Sequence, residues 1–107
     1  MANNRKPKSA ISIRQPYAEQ ILQGTKKKEY RSVPTHKLER VYIYASLTPD
    51  TPAAENMVRG KLIGTVEIVN CVPDKRHGFA YKLANPQRLA RPVKPRKQPQ
   101  PIWFYPF

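Results

Sequence analysis

Residues 62–71 most limit how this chain can fold, because they form a run rich in β-branched residues that is apolar on both faces. Such residues favour extended backbone, and a strand that is apolar on both faces needs cover on both sides. We therefore predict that this segment is a central strand. Gly64, inside it, predicts a bulge or a close approach of backbone or ligand.

Apolar and β-rich patterns predict further strands at residues 9–14, 28–32, 40–46, 79–83 and 102–105. Residues 40–46 carry the strongest pattern, with Val41, Ile43 and Ala45 expected to face the core. The last strand is expected to bury Trp103. Proline, glycine and polar residues predict turns or loops at residues 33–39, 48–52, 73–78 and 85–89, and an extended surface loop at 91–101.

One helix is predicted between Pro16, which suits a helix start, and Gly24, which suits a left-handed helix end. Ala18 and Ile21 lie on one face of this helix at helical spacing. A second short helix is predicted through Met57. Together these elements predict an α+β, mainly β fold, a small β-barrel with two short helices, in a single domain at residues 9–107 after a flexible basic arm at 1–8.

Residues 24–31 read Gly-x-Lys-x-x-Glu-x-Arg, a pattern that could line a cleft for an anionic ligand. Lys26 follows the helix end and could clamp a phosphate or, if desolvated, act as a base. Glu29 and Arg31 share one face of the predicted strand, so they could form an ion pair that supports the cleft floor or could contact the ligand directly.

Other candidate ligand contacts lie at strand ends. Arg14, Gln15 and Pro16 occupy the strand-to-helix turn, where backbone N–H groups attract anions. Ser46 ends the strongest strand, and a serine there is more often structural than functional. A basic rim that would hold phosphates is predicted from the remaining cations: Lys27, Lys28, Arg76, Arg88, Lys94 and Arg96.

The charge of the chain points to a polyanionic partner. Its 107 residues contain 20 Lys plus Arg and 7 Asp plus Glu, a net charge of +13, with no acidic residue after Asp74. One cysteine and two histidines predict no internal disulfide, no metal site and no cofactor. Without an apolar run of membrane-spanning length or a signal-peptide pattern, we expect a cytoplasmic protein without a membrane partner, and we expect a monomer.

These motifs resemble the ASCH domain family of the PUA-like superfamily over residues 9–105. The resemblance rests on residues 12–18 (SIRQPYA), Ile21, Gly24, Lys26, Glu29, Arg31, Ala45, Ser46, residues 64–67 (GTVE), Asn85, Pro86 and Trp103. It implies a PUA-like barrel with a cleft between barrel and first helix, floored by residues 24–31. It further implies that this cleft binds RNA or modified nucleotides.

The resemblance also implies possible chemistry. Some small ASCH members are amidohydrolases acting on N4-acetylcytidine, and a ribonuclease activity has been attributed to others. In the amidohydrolase branch a threonine stands where this chain has Glu29, and a carboxylate does not replace a hydroxyl nucleophile. We therefore predict an RNA-binding domain that reads one nucleotide. The alternatives are a nucleotide or RNA hydrolase, with Lys26 as base and Glu29 orienting water, and a protein-interaction module that uses the proline-rich loop.

Overall fold

The computed structural model describes residues 6–107 of the chain. Residues 1–5 of the predicted arm lie outside the described residues, and residues 6–8 form no helix or strand. The six strands are β1 (Ala10–Ile13), β2 (Lys28–Arg31), β3 (Arg40–Ala45), β4 (Lys61–Asp74), β5 (Gly78–Val93) and β6 (Trp103–Phe104). The helix α1 spans Tyr17–Gln23, and a 3₁₀ helix spans Pro52–Asn56.

The strands form one curled sheet in the order β2-β5-β4-β3-β1-β6. The pairs within it are antiparallel, except that β1 runs parallel to β3. This is the predicted mainly β, barrel-like fold, with β4 inside the sheet as expected. The second predicted helix is the short 3₁₀ helix, which begins at Pro52 and has Met57 as its C-cap residue.

The two faces of β3 contribute to two separate core clusters. Val41, Ile43 and Ala45 join the cluster that also buries Ile21 of α1, as predicted for this strand. Tyr42 and Tyr44 face the other way and pack with residues such as Leu62 and Phe104. Side chains of β3 are therefore buried on both faces of the sheet, and the strand pairs with β4 along one edge and with β1 along the other.

Gly64 lets α1 and β5 approach β4 closely. A Cβ placed there would lie 2.6 Å from the backbone oxygen of Gln87 and 2.4 Å from Cδ2 of Leu22. The pairing register also shifts beside Gly64, both toward β3 and toward β5. The bulge and the close approach predicted from this glycine are both present.

Three sequence expectations were wrong in detail. The turn expected at residues 85–89 and the loop expected from residue 91 are instead part of β5, which continues to Val93. Asn85 and Pro86 fit into the strand because they lie at a register shift, where Asn85 takes a φ of 52°. Trp103 is only half-buried against the core, while its neighbour Phe104 is the buried aromatic of β6.

Candidate functional site

A cleft of about 490 Å³ opens where β1, β2 and the end of β3 meet the start of α1. The predicted residues Arg14, Glu29, Arg31 and Ser46 all line it. β1 and β3 run parallel, so the residues that follow both strands reach the same end of the sheet. β2 is an edge strand, and its period-two alternation directs Glu29 and Arg31 to one side.

Glu29 forms the floor of the cleft and is 8% exposed. Its Oε2 accepts a hydrogen bond from Nε of Arg31 at 3.1 Å, and its Oε1 lies 3.8 Å from Nζ of Lys26. Burial raises the pKa of this carboxyl above its ordinary value, and the two neighbouring cations offset only part of that effect. Glu29 is therefore a desolvated carboxylate held between two cations.

Arg31 joins the two sides of the cleft. Its guanidinium donates to Glu29 on the same strand and also to the backbone oxygen of Ser12 on β1. β1 and β2 are not neighbours in the sheet, so this side chain bridges the opening between them. Because the guanidinium is planar and rigid, holding it at two points fixes the orientation that it presents to a ligand.

Lys26 lies between two tyrosine rings. Its Nζ is 5.3 Å from the ring centroid of Tyr17 and 5.2 Å from that of Tyr30. Both tyrosines line the cleft, and Tyr30 also stacks on His77 with ring centroids 4.2 Å apart. The lysine is itself absent from the cleft lining, and it supports the cleft by contacting two of the aromatic rings and the carboxylate that line it.

The outer edge of the cleft carries a second set of charged and polar groups around Asp50. The Tyr17 hydroxyl donates to Oδ2 of Asp50 at 2.7 Å, and Arg14 Nη1 lies 3.6 Å from Oδ1. The hydrogen bond and the negative charge of Asp50 raise the pKa of Tyr17. Arg14 is 57% exposed, so this pair is solvated and easily opened by a ligand.

A groove of about 630 Å³ adjoins the cleft along the loop that follows β5. The two cavities share Ser12, Ser46, Thr48 and Pro101. The predicted rim cations Lys94 and Arg96 line this groove, together with Lys97, which the predicted rim did not include. Three cations of one loop therefore lie beside the cleft.

The other predicted contacts lie away from this cleft. Gln15 is buried and has a structural role, because its side chain donates a hydrogen bond to the Val58 backbone oxygen and accepts one from the Glu19 backbone amide. Pro16 is the N-cap residue of α1 and is absent from the cleft lining. Lys26 and Lys27 both line a different cavity, next to Gly24.

Three exposed cations of the predicted rim also lie outside the cleft lining. Lys28 begins β2 on its outward face, and Arg76 lies in the turn between β4 and β5. Arg88 is engaged by Glu19 through two hydrogen bonds of 2.9 and 2.6 Å. This pairing leaves Arg88 less available to phosphate than Lys94 or Arg96.

Sequence reasoning did not single out Tyr30, Thr48, Asp50 and Pro101, which also line the cleft. Asp50 and Thr48 lie in the loop after β3, and only the parallel pairing of β1 with β3 brings that loop to the site. Tyr30 alternates with Glu29 and Arg31 along β2, yet its ring lines the cleft and lies 5.2 Å from Nζ of Lys26. An exposed aromatic between Glu29 and Arg31 was the available signal.

Comparison with known proteins identifies the family. The family model of the ASCH domain matches residues 11–92, most of the chain. The chain belongs to the ASCH domain family. The match includes the cleft residues from Ser12 to Asp50, and it confirms the family predicted from the sequence.

Solved structures of an ASCH protein from Zymomonas mobilis share this ASCH fold. The unmodified protein is 17% identical, with a TM-score of 0.66, covering 91% of this chain and 85% of that chain. A tyrosine-to-phenylalanine variant of it is 18% identical, with a TM-score of 0.68, covering 94% of this chain and 90% of that chain. At this identity the likeness establishes the fold alone. No curated protein sequence matches the chain.

Residues 6–107 carry neither a membrane-spanning helix nor a cluster of metal-binding side chains. No helix in that range is long and apolar enough to cross a membrane. Over the same range, no group of three or more His, Cys, Asp or Glu residues is placed to hold a metal ion.

Proposed function

We propose that this ASCH domain binds RNA and takes one nucleotide into the cleft. The observation that carries the proposal is the pairing of Glu29 with Arg31 on the cleft floor, 3.1 Å apart. A carboxylate accepts from the exocyclic amine of a base, and a guanidinium donates to ring nitrogens and carbonyl oxygens. One acceptor and one forked donor side by side match the polar edge of a base.

The surroundings of this pair fit a nucleotide as well. Tyr17 and Tyr30 offer ring faces on which a base can stack. The adjoining groove carries Lys94 and Arg96, which would neutralise phosphates. The partner we propose is therefore RNA in the cytoplasm, bound by a monomer, with the net charge of +13 favouring the encounter.

The proposal is tested by measuring the affinity of short RNA and of nucleotides by calorimetry. Lys26→Ala and Arg31→Lys should each weaken binding by roughly 1–3 kcal/mol, because each disturbs the polar floor without emptying the core. Arg88→Ala is the matched control, since that cation is held by Glu19 outside the cleft. If both cleft variants bind as well as the parent, the nucleotide site is elsewhere.

The second candidate function is a nucleotide or RNA hydrolase, and the environment of Glu29 favours it. A buried carboxyl with a raised pKa next to a lysine is an arrangement found at acid–base catalytic sites. Purified protein would be incubated with N4-acetylcytidine and with RNA. Turnover that disappears in both Glu29→Gln and Lys26→Ala would establish this function, whereas turnover that persists in both would assign it to a contaminant.

A further inference from the structure

We infer that a pocket beside Trp103 binds a second base, so that the ligand is single-stranded RNA of two or more nucleotides and not a single nucleotide. This inference rests on the proposed function of the cleft. The pocket has a volume of about 360 Å³ and lies between the loop after β5 and the C-terminal segment. Its walls include Lys37, Lys97, Gln98, Trp103 and Tyr105.

The pocket offers two aromatic ring faces that are held only weakly. Nζ of Lys37 lies 5.5 Å from the ring centroids of both Trp103 and Tyr105, and Tyr105 is 59% exposed. A cation over an exposed ring gains about 0.5–1 kcal/mol, whereas a base stacked on an aromatic side chain gains about 1–3 kcal/mol. A base therefore displaces the ammonium from the rings, and the freed Lys37 can meet the adjacent phosphate.

Polar groups that suit a base edge surround these rings. Ser9 lines the pocket and is buried, yet within residues 6–107 its hydroxyl oxygen has no hydrogen-bond partner. A buried hydroxyl without a partner costs about 1–3 kcal/mol, and a ligand that reaches it removes that cost. The side chains of Gln98 and Gln100, each with a donor and an acceptor, also line the pocket.

The groove of basic residues connects this pocket to the cleft. It shares Lys97, Gln98 and Gln100 with the aromatic pocket, and it shares Ser12 and Ser46 among others with the cleft. The three cavities therefore adjoin one another, with the cationic groove between two aromatic sites. Bases at both ends and phosphates between them reproduce the alternation along a single strand of RNA.

The loop that forms this path is anchored to the rest of the domain. The backbone amides of Arg96 and Lys97 donate to the Pro106 oxygen, and the Ser12 hydroxyl donates to the Gln100 oxygen. These bonds tie the loop to the C-terminal segment on one side and to β1 on the other. A path that is held in place before binding costs less ordering entropy when RNA binds.

The test compares the four ribonucleoside monophosphates with a mixed-sequence single-stranded RNA hexamer. The parent should bind the hexamer more tightly than any monophosphate. Tyr105→Ala should weaken hexamer binding about 5-fold to 100-fold, the loss expected for one base stack, and leave monophosphate binding unchanged. Lys97→Ala should also weaken only the hexamer.

Matched controls separate this inference from general effects of charge and aromatic content. Phe107→Ala removes a similarly exposed ring outside the pocket, and Lys75→Ala removes a cation in the β4–β5 turn, so neither should change hexamer affinity beyond two-fold. Equal losses for Tyr105→Ala and Phe107→Ala would overturn the second base site. A parent that binds monophosphates as tightly as the hexamer would also overturn it while the function proposed for the cleft stands. Binding of neither ligand would remove both proposals.

Discussion

Replacing Arg31 with alanine should destabilise the domain by about 2–3 kcal/mol at pH 7. The substitution leaves the buried Glu29 carboxylate with only Lys26, 3.8 Å away. The variant can avoid this unpaired charge by protonating Glu29, which costs about 3.4 kcal/mol at pH 7 for a carboxyl with an ordinary pKa of 4.5. The electrostatic part of the destabilisation therefore cannot exceed that value. Burial already destabilises the charged form of Glu29 in the parent, so the electrostatic loss is smaller than this maximum. The lost hydrogen bond from Arg31 to the Ser12 oxygen adds about 1 kcal/mol.

This loss should depend on pH. Near pH 4.5 the Glu29 carboxyl protonates at little cost, so only the hydrogen bond to Ser12 is lost and the effect of Arg31→Ala should fall to about 1 kcal/mol. At pH 7 the double variant Glu29→Gln/Arg31→Ala should be more stable than Arg31→Ala alone, because the buried carboxylate that lost its arginine is replaced by a neutral amide. With unfolding energies of about 5–15 kcal/mol typical of domains, each variant should stay folded.

Urea denaturation at pH 7 and pH 4.5, followed by the fluorescence of the single tryptophan Trp103, measures these effects. Arg14→Ala is the matched control, because the Arg14–Asp50 pair is solvated and should contribute less than about 1 kcal/mol. Two results would refute the reasoning. One is an Arg31→Ala loss that is equal at both pH values, and the other is a double variant at pH 7 that is less stable than Arg31→Ala.

Three other predictions follow from named contacts. Because the folded pKa of Glu29 lies above 4.5, its contribution to stability falls as pH rises through that folded pKa. Glu29→Gln should therefore flatten the pH profile of stability measured by urea denaturation in that range, and an unchanged profile would contradict the pKa direction. If Lys94, Arg96 and Lys97 contact phosphates, the slope of log affinity for single-stranded RNA against log salt concentration should be near −2, and Arg96→Ala should make that slope shallower by about 0.7. Lys75→Ala is the control, and affinity that does not change with salt in the parent would exclude phosphate contacts. Gly64→Ala should lower the free energy of unfolding by about 1–3 kcal/mol, because its Cβ would clash with the backbone oxygen of Gln87. An unchanged midpoint of urea denaturation would show that the strands separate enough to accept the extra methyl group.

Local patterns predicted those parts of the site that local geometry determines. Alternation along β2 was enough to pair Glu29 with Arg31, and Gly24 ends α1 in the expected left-handed conformation with a φ of 82°. Side-chain direction in a strand and the φ of a helix cap depend on a few neighbouring residues, so both can be read from sequence.

Features that depend on distant pairing could not be predicted in this way. Asp50 reaches the cleft because β1 lies parallel to β3, a pairing between segments about thirty residues apart that no local pattern encodes. Asn85 and Pro86 have the composition of a turn, and only pairing with β4 keeps them inside a bulged strand. Gln15 sits at a promising strand-to-helix turn, yet it is buried and bonds the Val58 oxygen, because the segment around the 3₁₀ helix packs over it.

The most direct test of the central claim is a titration of the isotope-labelled domain with a single-stranded RNA hexamer, followed by NMR of the backbone amides. If the cleft takes a nucleotide, the largest shift changes should occur at Glu29, Tyr30 and Arg31, with changes at Ser12 and Ser46 across the cleft. Arg31→Lys should reduce these changes at equal RNA concentration. Changes confined to surfaces away from the cleft, or no change at saturating RNA, would contradict the account.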